Sequence, residues 1–134
     1  MSLQYSVAVR NAQLDAVEST IGTAPILIFR TGAPPANCAA ADTGTLLDTF
    51  ALPSDWMAAA SSGSKAKSGT WTIAGDADGV IGHFRIKDSS GTTCHVQGTV
   101  TATGGGGDMT MDNTTIAVSQ AGTVNTFTLN AGNA

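Results

Sequence analysis

Residues 80–103, VIGHFRIKDSSGTTCHVQGTVTAT, decide the fold. Two runs alternate in polarity around Asp88-Ser89-Ser90-Gly91, and a period of two marks strands with one buried face. In the first run Val80, Gly82, Phe84 and Ile86 share one side, and Ile81, His83, Arg85 and Lys87 the other. In the second, Cys94, Val96, Gly98, Val100 and Ala102 point inward, and His95, Gln97, Thr99, Thr101 and Thr103 point outward. Asp at the first turn position and Gly at the fourth fit a type I turn with a glycine bulge. That turn sets Asp88 opposite Thr92, Ile86 opposite Cys94 and Phe84 opposite Val96, so the apolar faces coincide. A slip of one residue would separate them.

The flanking sequence continues in the same idiom. Downstream, Gly104–Gly107 reads as a flexible hinge or a wide turn. Residues 109–111, 114–118 and 123–129 read as short strands, and the small polar tail 130–134 is expected to fray unless a neighbour holds it. Upstream, 70–74 places Trp71 and Ile73 on one face. Residues 61–69, SSGSKAKSG, read as a flexible surface loop in which Lys65 and Lys67 are solvated. Ser54-Asp55 before Trp56 and Met57 suggests a short capped helical turn over 54–60. Residues 46–52 form a strand ended by Pro53. The loop 31–44, TGAPPANCAAADTG, is long, and Pro34-Pro35 holds it extended; an ordered loop of this length usually has a role or a partner. Residues 25–30, PILIFR, form a strand whose four consecutive apolar residues imply burial on both faces, one of them under a helix.

That helix is expected over residues 2–22. Leu3, Val7, Leu14, Val17 and Ile21 recur at helical spacing, with Arg10 and Asn11 filling the gap, and Gly22 stands where a C-cap glycine belongs. Ser2 is preferred to Ser6 as the N-cap, and Asp15 and Glu18 face away from the stripe. The expected fold is therefore mainly β: an antiparallel β-sandwich, with the jelly roll as one form of it, carrying an N-terminal α-helix. The division is a helix or arm over 1–22 and a β-sandwich domain over 23–134.

Composition narrows the function. The 134 residues carry a net charge of -4, and only 12% are charged, about half the ~25% of ordinary soluble proteins. The six basic residues form no run, which argues against nucleic acid as a partner. No apolar run approaches the ~18 residues of a membrane span. The N-terminus has no basic region followed by an apolar core, so synthesis in a cytosol without a classical export signal is expected. Sparse charge with a mean hydropathy of +0.10 suits a surface that is partly covered by partners. Cys38 and Cys94 are too few and too far apart in sequence for a disulfide framework and read as free thiols.

No catalytic constellation stands out. His83 and His95 share the outer face of the hairpin, but two imidazoles beside Arg85 make a poor metal site. Asp76 and Asp78 in GDADG lack the third ligand and closing Glu of a calcium loop. The glycine run is followed by no Lys-Ser or Lys-Thr, and no serine sits in a Gly-x-Ser-x-Gly elbow. Neither an enzyme nor a cofactor is expected. Trp56 and Trp71 could stack on sugar rings, or fill the core.

Three stretches carry a resemblance: YSVAVRNAQLDAVESTIG, RTGAPPANCAAADTGTLLDTFALPSDWM and HFRIKDSSGTTCHVQGTVTATGGGGDM. Together they resemble a family of small structural proteins of tailed bacteriophages, capsid decoration (cement) proteins fitting best and tail components next. The resemblance implies a virion component, made in the bacterial host cytoplasm and placed on the outer head surface. Its partners would be the major capsid protein and copies of itself. The alternative is a tail-associated structural or carbohydrate-binding β-sandwich. No family residues transfer, so the candidate contacts come from the chain itself: Leu3, Val7, Arg10 and Leu14 on the helix stripe, Pro34 and Pro35 in the long loop, and Trp56.

Overall fold

The computed structural model describes residues 3–134. One helix, α1 (Val7–Ile21), precedes ten strands: β1 (Ile26–Arg30), β2 (Leu46–Ala51), β3 (Ser64–Ala66), β4 (Thr72–Ile73), β5 (Gly79–Val80), β6 (His83–Lys87), β7 (Cys94–Ala102), β8 (Met109–Met111), β9 (Thr115–Ile116) and β10 (Gly122–Asn130). The mainly β, sandwich-like architecture with an N-terminal helix is the one the sequence implies. Seven strands pair in the order β2-β1-β6-β7-β8-β10-β3, β4 joins β10, and β5 and β9 make a separate ribbon. This order does not establish a jelly roll.

β7 and β8 run parallel, against the all-antiparallel expectation. Parallel neighbours ordinarily need a crossover of a dozen or more residues. Here β8 pairs only with Val100–Ala102 at the end of β7, so a short return suffices. The glycines make it possible. Gly104 and Gly106 take φ of 89° and 81°, and Gly105 and Gly107 lie so close to Thr101 that a Cβ would stand 2.7 and 2.8 Å from its atoms. The run is thus a packed wide turn and not a hinge. Asp108 closes it, accepting from Thr99 N at 2.9 Å and Thr99 Oγ1 at 3.1 Å.

The helix is shorter than the sequence suggests. Ser6 is the cap: its Oγ accepts from Val9 N at 3.2 Å, so the helix begins at Val7. Ser2 lies outside the described residues. Gly22 ends the helix as expected, with φ 94° and its N–H on Glu18 O at 2.9 Å. The apolar stripe divides. Leu14 and Ile21 are buried and Val17 packs at the core margin, but Leu3 and Val7 are exposed.

The hairpin forms, with its register moved by two residues. Ile86 faces Val96 and Phe84 faces Gly98, and a bulge between Ile86 and Lys87 sets Lys87 opposite Cys94. The cause is Asp88, whose carboxylate accepts from Thr92 N and Thr93 N and draws both into the turn. A two-residue shift keeps Phe84 and Ile86 in the core. The bulge, however, moves Cys94 to the side of Arg85 and Lys87, and leaves His95 beside Val17 and Ile21 of α1.

One core fills the space between the strands and α1. Leu27, Phe29, Phe84, Ile86, Trp56, Trp71, Ile73, Met109, Met111 and Phe127 are all buried in it. Its aromatic rings form a chain: Trp56 to Trp71 at 6.3 Å between centroids, Trp71 to Phe127 at 5.8 Å, and Phe127 edge-on to Phe84 at 5.4 Å. The opposite face of β1 and β6 is covered by the 31–44 loop, which accounts for burial on both sides of ILIF. Residues 54–60 are not helical. Met57 bridges to Lys67 and Ala58 N donates to Ala66 O at 2.8 Å, so 54–60 runs beside β3 as an irregular ribbon. Residues 61–69 accordingly carry a strand in place of the expected flexible loop.

Candidate interaction surface

The chain termini meet. Tyr5 N donates to Asn133 O at 2.6 Å, and Arg10 Nε donates to Ala131 O at 3.2 Å. Ala131 N donates in turn to Gly63 O, while Gly63 N donates to Asn11 Oδ1 at 2.8 Å. The tail is therefore held by the chain's own N-terminal segment, and needs no external neighbour. Beside this seam stand Leu3, Val7 and Val9, at 67%, 51% and 44% exposure. They are three of the six large apolar side chains exposed among the described residues, close together in sequence, with Val7 and Val9 on different sides of the first helical turn.

Below the seam, α1 is fixed by charge as well as packing. Lys65 Nζ lies 2.7 Å from both Asp15 Oδ1 and Glu18 Oε2, and the lysine side chain is buried. Burial works to lower the Lys65 ammonium, but hydrogen bonds to the two carboxylates outweigh it and hold the group above its ordinary value. The hydrogen bond from Lys65 holds Asp15 below the usual carboxylate range. The expectation of a solvated Lys65 is thus overturned. Asp15 and Glu18, placed away from the stripe, are the partners that let a lysine enter the body.

The 31–44 loop lies on a second charged cluster. Arg85, read as an outward strand residue, is buried; it pairs with Asp42 and donates to Asn37 O at 3.3 Å and Cys38 O at 2.8 Å. Lys87 Nζ reaches Asp42 Oδ2 at 2.8 Å. Burial works to raise the Asp42 carboxyl, but Lys87 and Arg85 outweigh it and leave it below the usual range. His83 is also buried, with Nδ1 2.9 Å from Gly32 O, so it cannot share a metal with His95 on the helix side.

The proposed contact residues separate by burial. Leu3 and Val7 are exposed, and Arg10 is half-buried on the tail. Leu14 is spent on the core. Pro34 is half-buried, and Pro35 is buried, its carbonyl accepting from Gln97 Nε2 at 2.7 Å. Trp56 is wholly buried with Nε1 donating to Gly22 O at 3.0 Å, and Trp71 is wholly buried too. Neither ring offers a face to a partner or a sugar. Val9, Lys65 and Arg85 escape sequence reasoning. The acidic pair at i and i+3 on α1 was a signal for Lys65, whereas nothing local marks Arg85.

One polar pair remains. Asp48 is buried on β2, its Oδ2 has no hydrogen-bond partner, and it lies against Asp76. Burial first, then the Asp76 carboxyl, pushes Asp48 up to about 6. Among the described residues no helix is long and apolar enough to cross a membrane. Comparison with family models, curated proteins and solved structures finds no match.

Proposed function

We propose that this chain is a non-enzymatic structural protein of a phage virion, a decoration or cement protein that stabilises the head through the major capsid protein. The supporting observation is that Leu3, Val7 and Val9 are exposed beside joined termini. Apolar side chains held on a rigid body lose little conformational entropy when they dock. The chain carries few charges overall, only 12% of its residues, which limits the desolvation that opposes a contact. A protein that binds only the mature lattice stabilises that lattice by linkage. The phage resemblance of the sequence supplies the partner. With Trp56 and Trp71 inside, the carbohydrate alternative has no stacking platform at those positions.

Cosedimentation tests the reading. The purified protein is mixed with expanded capsids that lack it, and with unexpanded shells. Saturable binding to the expanded form, a rise in shell melting temperature, and at least tenfold weaker binding by Val7→Asp/Val9→Asp are expected. Absence of binding to both shells would remove the head assignment.

A further inference from the structure

We propose that Cys38 and Cys94 are a modification site, a thiol pair that a low-molecular-weight disulfide such as oxidised glutathione converts to an intrachain disulfide. The bulge at Lys87 brings the pair together. It turns Cys94 to the face of β7 on which the 31–44 loop lies, and both cysteines line one open depression of about 640 Å³ between that loop and the hairpin turn. Arg85 ties the two segments, donating to Cys38 O at 2.8 Å and standing beside the Cys94 thiol. The thiols are neighbours, free and half-buried, and the Cys94 Sγ donates to Val96 O at 3.5 Å. The depression gives a small oxidant access to them.

The chemistry follows from the placement. Burial, then the neighbouring Cys38, pushes the Cys94 thiol up to about 11, so Cys94 does not open the exchange at neutral pH. The Cys38 thiolate attacks one sulfur of oxidised glutathione, forming a mixed disulfide and releasing one glutathione thiolate. Cys94 loses its proton more readily once the Cys38 thiol is consumed, and Arg85 favours its thiolate. It attacks the Cys38 sulfur and expels the second glutathione. Two protein thiols lose two protons and two electrons, and one oxidised glutathione becomes two reduced. The product fastens the 31–44 loop to the hairpin covalently.

The test uses the full chain, reduced or incubated with oxidised glutathione. Expected are a mass lower by two hydrogens, no titratable thiol, a monomer on a non-reducing gel, and a melting temperature raised by about 10 °C. Cys38→Ser and Cys94→Ser should each fail to close; Cys94→Ser should retain one glutathione on Cys38. Two persisting thiols, stably bound glutathione in the native chain, or crosslinking only between chains would overturn the proposal.

Discussion

Asp48 concentrates the energetics of single residues in this protein. Its carboxyl is buried against Asp76, whose Oδ2 accepts from Thr49 N at 3.3 Å. A folded-state pKa near 6, above the ordinary ~3.9 of an unfolded chain, means the folded protein holds the proton more tightly. The associated stability is fully present below about pH 4 and is lost as pH rises through 6, on the order of 2 kcal/mol. Asp15, Asp42 and Asp88 are shifted the other way, so their contribution is present above about pH 4 and lost in acid. Urea denaturation should therefore show a stability maximum near pH 5 and a decline towards pH 7.5. Asp48→Asn removes the buried, ionisable group. It should flatten that decline and raise the urea midpoint at pH 7.5; a variant with the native pH profile would exclude Asp48 as its source. Asp48 was legible as a strand residue but not as a buried one, because burial on both faces of β2 depends on the loop that carries Asp76.

Two elements show what periodicity reveals and what it misses. The alternation in 80–103 gave the hairpin and the core placement of Phe84 and Ile86, since apolar burial is set by parity. It missed the bulge, because a carboxylate that captures two backbone N–H groups leaves no trace in polarity; Cys94 and His95 consequently exchanged faces. The glycine run tells the same story at β8. Gly107→Ala would drive a Cβ to 2.8 Å from Thr101 N, against backbone that cannot yield. A loss of about 2–3 kcal/mol is expected in the unfolding free energy, whereas Gly132→Ala, with no atom within 4 Å, should leave it unchanged within error. Equal values for the two variants would mean the loop is loose. The α1–β3 ion pair makes a sharper case. Removing the acids by Asp15→Asn/Glu18→Gln strands a buried ammonium and should cost about 3 kcal/mol. Lys65→Met removes the buried charge, leaves carboxylates that water reaches, and should cost less than about 1 kcal/mol. The reverse ranking in denaturant midpoints would show that Lys65 is hydrated in the folded protein.

At the scale of the whole molecule, the helix is both body and surface, and this decides how the docking hypothesis must be tested. An arm over 1–22 would come away cleanly, but Leu14 and Ile21 belong to the buried interior and Asp15 and Glu18 neutralise Lys65. Deleting residues 1–22 exposes the apolar floor under α1, frees the C-terminal tail from Tyr5 and Arg10, and leaves Lys65 buried without a partner. Such a truncation should lose its cooperative thermal transition and its near-ultraviolet circular dichroism. A truncation that keeps both would support the division into an arm over 1–22 and a β-sandwich domain over 23–134. Val7→Asp/Val9→Asp changes only side chains that already face water, so its melting temperature should stay within about 3 °C of the native value. Loss of capsid binding by this folded variant separates the outer surface of the helix from its inner one, which no deletion can do. Retained binding would move the contact away from the termini, towards the exposed Leu46, Val80 and Val118.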